Sequence, residues 1–80
     1  MPIIEVLLPQ HGMGMKDGEV VRWRKAVGDR VASGEILVEV EAAKATVEVP
    51  SPSDGELVEI LAEEGDTVEV RAPLARLRTA

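Results

Sequence analysis

Glu35-Ile36-Leu37-Val38-Glu39-Val40-Glu41-Ala42-Ala43-Lys44-Ala45-Thr46-Val47-Glu48-Val49 is the stretch that decides the fold. Ile36, Val38 and Val40 alternate with Glu35, Glu39 and Glu41. Ala45, Val47 and Val49 then alternate with Thr46 and Glu48. Side chains on a strand point to opposite faces in turn, so a period of two describes strands with one buried and one wet face. The two runs adjoin through Ala42 to Ala45, which predicts a hairpin with Lys44 at its tip.

The same grammar extends outward. Ile3 to Leu8, Val20 to Ala26, Leu57 to Ala62 and Leu74 to Arg78 read as further strands. Asp17-Gly18, Gly28-Asp29, Ser33-Gly34, Asp54-Gly55 and Gly65-Asp66 read as turn signals between them. Pro9, Pro50, Pro52 and Pro73 fall at strand edges, where a missing N–H does least harm. No window of helical length carries a 3.6-residue period. Short strands with regular turns indicate a small β-barrel or sandwich.

An internal repeat sharpens this. Residues 17–40 set against 54–77 match at Asp17/Asp54, Gly18/Gly55, Glu19/Glu56, Val21/Val58, Gly28/Gly65, Asp29/Asp66, Val31/Val68 and Leu37/Leu74. Two copies cannot make a solenoid, but they can pack as a pseudo-twofold sandwich in which each copy covers the other's apolar face. In that arrangement the last strand pairs with Ile3 to Leu8. The twofold predicts the 41–45 turn at one end of the molecule and both termini at the other.

Composition sets the limits. The chain has 80 residues, and surface scaling gives about 62% burial on folding, enough for one small core. We therefore expect one domain over residues 1–80. Trp23 is the only aromatic residue, so the core is aliphatic. Cysteine is absent, which excludes disulfides, thiolate metal sites and thiol catalysis. His11 is the one histidine, which argues against a His-based metal centre or proton relay. A net charge of −6 argues against nucleic acid and anionic membrane as partners. Residues 41–80 carry nine acidic and four basic side chains, against six and five in residues 1–40. No apolar run approaches the ~20 residues of a membrane span, and no signal-peptide pattern opens the chain. The expected location is the cytoplasm, or the mitochondrial matrix in a eukaryote.

A lysine on a turn is ordinarily a solvated side chain. Lys44 differs in its surroundings. It is one of three lysines, with Lys16 and Lys25, and Ala42, Ala43 and Ala45 leave it sterically open. Alanine is a poor turn former beside Asn, Asp or Gly, so something other than turn stability set this sequence.

The ordered set Leu8-Pro9, Met15, Gly18, Val21-Arg22-Trp23, Gly28-Asp29-Arg30-Val31, Ser33-Gly34, Leu37 to Glu41, Lys44 to Val49, Gly55 and Gly65-Asp66-Thr67-Val68 spans essentially the whole chain. It resembles the lipoyl domains of the biotinyl/lipoyl carrier family. The resemblance implies an all-β fold: a flattened β-barrel, or barrel-sandwich hybrid, of two four-stranded antiparallel sheets with pseudo-twofold symmetry. It implies lipoate joined covalently to Lys44, and a role for Glu41, Ala43 and Ala45 in recognition by the modifying enzyme or a partner. It implies no catalytic residue and no metal in the domain itself. The tip triplet is Ala43-Lys44-Ala45. Acyltransferase lipoyl domains usually have Asp-Lys-Ala, biotinyl domains Met-Lys-Met, and lipoylated glycine-cleavage carriers resemble Val-Lys-Ala. The residue after the lysine fits the lipoyl type, and the one before it fits neither of the first two.

What the resemblance implies for function is a swinging arm. An acylated lysine presents a dithiolane that passes acyl groups and electrons between active sites, the cofactor carrying the chemistry and the protein the presentation. The implied context is a 2-oxo acid dehydrogenase complex, with the chain as part of a dihydrolipoyl acyltransferase. The implied partners are a lipoate ligase or lipoyl transferase and the 2-oxo acid dehydrogenase and dihydrolipoyl dehydrogenase components. The isolated domain is expected to be monomeric. The alternatives are a biotinyl carrier domain of a carboxylase or decarboxylase, with biotin on the lysine, and an unmodified lipoyl-like interaction domain of the kind found in efflux adaptors.

Three further readings concern single residues. The stretch Pro9 to Gly18 is the longest loop and by resemblance lies beside the lysine hairpin; His11, Met13 and Met15 read as ordinary loop residues. Trp23 reads as a core anchor. Glu39, Glu41 and Glu48 read first as a solvated strand face and second as an acidic surface flanking Lys44.

Overall fold

The computed structural model describes residues 2–9, 16–42 and 45–79. It contains eight strands among them: β1 (Ile3–Leu7), β2 (Asp17–Trp23), β3 (Arg30–Val31), β4 (Ile36–Ala42), β5 (Ala45–Pro50), β6 (Gly55–Ile60), β7 (Thr67–Glu69) and β8 (Pro73–Arg78). They form two four-stranded sheets, β1-β8-β6-β3 and β5-β4-β2-β7, and all pairings are antiparallel. The sheets remain separate, so the barrel-like sandwich is not closed.

The repeat maps one sheet onto the other. β2, β3 and β4 correspond to β6, β7 and β8, and β5 corresponds to β1. As expected from the repeat, β8 pairs with β1, Ile3 lying opposite Arg78 and Val6 opposite Ala75. Even the crossing turns match. Gly28 N–H donates to Leu57 O (2.7 Å) and Gly65 N–H to Val20 O (2.8 Å). Gly28 and Gly65 have φ of +99° and +93°, a region in which a Cβ is strained.

Strand limits differ from the sequence reading for a local reason. β2 covers 17–23 rather than 20–26, and β6 covers 55–60 rather than 57–62. The Asp29 carboxylate accepts Ala26 N–H (2.8 Å), and the Asp66 carboxylate accepts Glu63 N–H (2.9 Å). Each aspartate captures a backbone donor that a longer strand would need, so the chain turns. β3 and β7 were not anticipated as strands, because two or three residues are too few to show a period.

The Asp17-Gly18 and Asp54-Gly55 signals also resolve differently. Gly18 lies inside β2 and Gly55 opens β6. These glycines serve close packing rather than turns. An added Cβ at Gly18 would collide with Val40 Cγ1, and one at Gly55 would lie 2.6 Å from Arg78 O.

The core lies between the sheets. Leu8, Val20, Leu37, Val38, Val40, Val49, Leu57, Leu74, Ala75 and Leu77 are buried in it. Each large side chain contributes about 1.5–3 kcal/mol on burial. The alternation in β4 breaks where Leu37 and Val38 are both buried. The pairing with β5 shifts register between Ile36 and Val38, and this bulge turns Leu37 inward. Trp23 packs against the core as expected, and its Nε1–H donates to Ala62 O (2.8 Å).

Candidate functional site

β4 and β5 stay paired to their limit. Glu39 faces Glu48, Val40 faces Val47, Glu41 faces Thr46, and Ala42 faces Ala45. Only Ala43 and Lys44 separate the last pair, so the strands form the hairpin expected from their alternation. Ala43 and Lys44 themselves lie outside the described residues. The root of the hairpin is fixed: Val40, Ala42 and Val47 are buried, while Glu41, Ala45 and Thr46 face solvent.

On its other side β4 pairs with β2, and the outward residues there are acidic. Glu19 lies directly opposite Glu41, and Asp17 lies opposite Glu69 of β7. Like charges facing each other across strands destabilise a sheet. None of these four carboxylates forms an ion pair among the described residues.

Elsewhere several acidic groups are neutralised. Arg24 bonds Glu39 (2.6 Å) and approaches Glu48 (3.7 Å). The contact with Glu39 holds the Arg24 guanidinium above its ordinary pKa. Arg76 reaches Glu59 (2.9 Å) and Glu5 (3.6 Å), and Arg78 reaches Glu56 (2.6 Å). Lys25 Nζ binds Glu35 (2.9 Å), and that bond together with the Ala32 N–H keeps the Glu35 carboxyl below its ordinary pKa. The sequence reading grouped Glu39, Glu41 and Glu48. The structure divides them: Arg24 compensates Glu39 and Glu48, whereas Glu41 joins Glu19, Asp17 and Glu69 toward the hairpin.

The expected loop position can be followed only to its ends. Residues 10–15, with His11, Met13 and Met15, lie outside the described residues. Leu8 N–H donates to Ala72 O (3.0 Å), Arg71 N–H to Leu8 O (2.8 Å) and Val70 N–H to Lys16 O (2.9 Å). The described residues on either side, Leu8 and Lys16, are therefore both held on residues 70–72, next to the start of β2. That start, through Glu19, is also the part of β2 facing Glu41.

Sequence reasoning missed Glu19, Asp17, Glu69 and Gly18 as neighbours of the hairpin. The Asp-Gly-Glu repeated at 17–19 and 54–56 was the available signal, but it was read as punctuation. Among the described residues, no group of three or more His, Asp or Glu side chains is arranged to hold a metal ion. An open depression lined by Trp23, Ala26, Val27, Val58, Ile60 and Glu63 lies between the crossing turns and does not include the hairpin.

Comparison with known proteins adds to this geometry. A biotin/lipoyl family model, described as biotin-requiring enzyme, matches residues 4–77. The acetyltransferase component of the pyruvate dehydrogenase complex of Corynebacterium glutamicum is 46% identical over 76 residues, 95% of this chain and 11% of that protein. The succinyltransferase component of the 2-oxoglutarate dehydrogenase complex of Bartonella vinsonii is 51% identical over 70 residues, 88% of this chain and 17% of that protein. Both are named as dihydrolipoyllysine-residue transferases. This chain thus spans less than a fifth of either relative. The solution structure of the lipoyl domain of the Azotobacter vinelandii 2-oxoglutarate dehydrogenase complex superposes with a TM-score of 0.76 at 34% identity, covering 95% of this chain and 96% of that one. A urea carboxylase from Kluyveromyces lactis superposes at 0.83 with 24% identity over 98% of this chain and 6% of its own, a likeness of fold.

Proposed function

This chain belongs to the biotinyl/lipoyl carrier family, and on that premise we propose that it is a lipoyl domain that carries lipoate on Lys44 within a 2-oxo acid dehydrogenase complex. One observation carries the reading: β4 and β5 remain paired up to Ala42 and Ala45, leaving a two-residue connection that contains a lysine. The relatives near 50% identity supply the context of acyl transfer, while the likeness to a carboxylase is one of fold.

The residues present fit the group. A lysine amine forms the amide, and the small, exposed Ala45 beside it leaves room for an attaching enzyme. When bound, lipoate supplies a dithiolane able to take up an acyl group with two electrons. The protein's own contribution is mechanical and electrostatic. The buried Val40, Ala42 and Val47 hold the root of the hairpin still, and Glu41 with Glu19 gives that end a negative field. Glu41, Ala43 and Ala45 serve as the recognition contacts for a lipoate ligase or lipoyl transferase. The dehydrogenase and dihydrolipoyl dehydrogenase components are the further partners, and the cytoplasm or mitochondrial matrix is the setting. Catalytic groups lie outside this domain, in those partners and in the dihydrolipoyl acyltransferase of which the domain forms part.

The test is intact mass of the apo-protein after incubation with lipoate ligase or biotin ligase. A single lipoyl increment, lost in Lys44→Gln, is expected. On this reading Lys44 is a surface side chain, and since surface substitutions shift stability by under about 0.5 kcal/mol, Lys44→Gln should keep the wild-type melting curve. Efficient biotinylation with refusal of lipoate would replace this reading by the biotinyl one. An unmodified product in both reactions would favour an interaction domain.

A further inference from the structure

Gly18 is buried in β2 directly against the strand that leads to the hairpin. A Cβ placed there would collide with Val40 Cγ1, and would lie 3.4 Å from Glu41 O and 3.7 Å from Ala42 Cβ. Its φ is not in the left-handed region, so glycine is required here for space and not for backbone freedom. Val40 is fully buried and β-branched, so its methyl groups have little freedom to rotate away. In a close-packed interior the strand itself must then shift. The three residues that would be displaced, Val40, Glu41 and Ala42, are the last three before the connection holding Lys44.

The repeat provides an internal comparison. Gly55 occupies the corresponding place in the other sheet, where an added Cβ would meet Arg78 O and C at 2.6 and 3.3 Å. The strand displaced there is the end of β8, which leads to Thr79 rather than to a lysine hairpin. The same packing demand therefore exists at two places, and only one of them supports the modification site.

We propose that Gly18 is a positioning residue for the modification of Lys44: by letting β4 approach β2 closely, it sets where the root of the hairpin stands for the attaching enzyme. This rests on the reading of Lys44 as the attachment site. Enzymes are sensitive to such placement, and a misplacement of 1 Å can cost about 10²-fold in rate.

The experiment measures kcat/KM for lipoate ligase, together with melting temperature and circular dichroism, on the 80-residue apo-chain. The variants are Gly18→Ala, Gly55→Ala, Val40→Ala and the double variant Gly18→Ala/Val40→Ala. Gly18→Ala should lose at least tenfold in kcat/KM while still showing a β spectrum, and Gly55→Ala should stay within about twofold of wild type. The double variant removes the methyl group that the new Cβ strikes. It should recover to within about threefold of Val40→Ala even though it melts below wild type, a dissociation that simple loss of stability cannot produce. Should Gly18→Ala fail to fold, Gly18→Ser/Val40→Ala refills the space and should again fall at least tenfold below Val40→Ala. A folded Gly18→Ala modified at the wild-type rate, equal losses at Gly18 and Gly55, a double variant that does not recover, or a refilled variant matching Val40→Ala would each overturn the proposal. A wild-type chain that takes no lipoate would overturn the reading of Lys44 as well, so the two failures are distinct.

Discussion

Arg71 has a φ of +71°, the only non-glycine with a positive value among the described residues. Its counterpart in the repeat is Gly34, at +87°. Both turns make the same bond, Arg71 N–H to Leu8 O and Gly34 N–H to Ser51 O, each 2.8 Å. A side chain in this region costs roughly 1–2 kcal/mol, partly offset because glycine loses more freedom on folding. Arg71→Gly should therefore raise stability by up to about 1 kcal/mol, while Gly34→Ala should lower it by about 1 kcal/mol. Urea denaturation of both variants checks the opposite signs. Glu35 gives a second residue-scale expectation. Its carboxyl pKa is lowered, first by Lys25 and next by Ala32 N–H. Stabilisation from such a group is present above its unfolded pKa and is lost as pH falls through the folded one. The advantage of wild type over Glu35→Gln should thus be full at neutral pH, begin to shrink as pH falls through the ordinary glutamate range at about pH 4, and be gone only below the lowered folded pKa. Melting curves against pH decide it; an unchanged difference in acid would refute the assignment.

At the scale of elements, the two crossing turns invite a paired test. Asp29 and Asp66 each hold a backbone N–H three residues upstream, and each turn also contains an Asp N–H to carbonyl bond of 3.0 Å, from Asp29 to Ala26 and from Asp66 to Glu63. Replacing either aspartate with alanine removes a solvent-exposed bond and should cost about 0.5–1.5 kcal/mol, with the two losses agreeing within about 0.5 kcal/mol. Chemical denaturation of both variants would reveal any asymmetry. The same turns explain what the sequence could show. β4 and β5 were legible because Glu39, Glu41, Thr46 and Glu48 mark a wet face against Val40, Val47 and Val49. The antiparallel partner of β8 was legible from the repeat. The ends of β2 and β6 were not, since the side-chain bonds that stop them join residues whose geometry exists only in the folded turn. Gly18 shows the same limit: a glycine beside an aspartate looks like a turn, and only the proximity of Val40 reveals a strand under steric demand. Of the candidate site, the two strands of the hairpin were legible from spacing, while Lys44, expected at its tip, lies outside the described residues. The acidic neighbours were not legible, because Asp17 and Glu69 are brought together by a β2–β7 pairing that leaves no local pattern.

At the scale of the whole molecule, each repeat unit divides itself between the sheets. β2 and β4 lie in one and β3 in the other, and β6, β7 and β8 do the reverse. Neither unit owns a complete sheet, so burial of each apolar face depends on the other unit. Trp23 ties them further, through its indole N–H to Ala62 O and its own N–H to the Glu64 carboxylate (3.2 Å). The strands of the hairpin therefore rest on contacts supplied by both repeat units. The charge distribution has the same global origin. Arginines at 24, 76 and 78 neutralise carboxylates across strands, while the hairpin side of β2 has no such partner among the described residues.

The bond from Thr79 N–H to Pro2 O, 2.9 Å, ties the first and last strands together. Under the repeat, Thr79 and Pro2 correspond to Ala42 and Ala45, a pair that two residues suffice to connect. A head-to-tail peptide bond between Ala80 and Met1 would therefore make a seamless ring, with a two-residue connection at each pole. Such cyclisation leaves the folded contacts alone and acts on the unfolded chain, where closing a loop of this length removes entropy equivalent to about 4.5 kcal/mol. A ligated, cyclic form should accordingly melt well above the linear one while remaining as good a substrate for modification. Equal melting temperatures would show that the two ends do not meet as the hydrogen bond indicates.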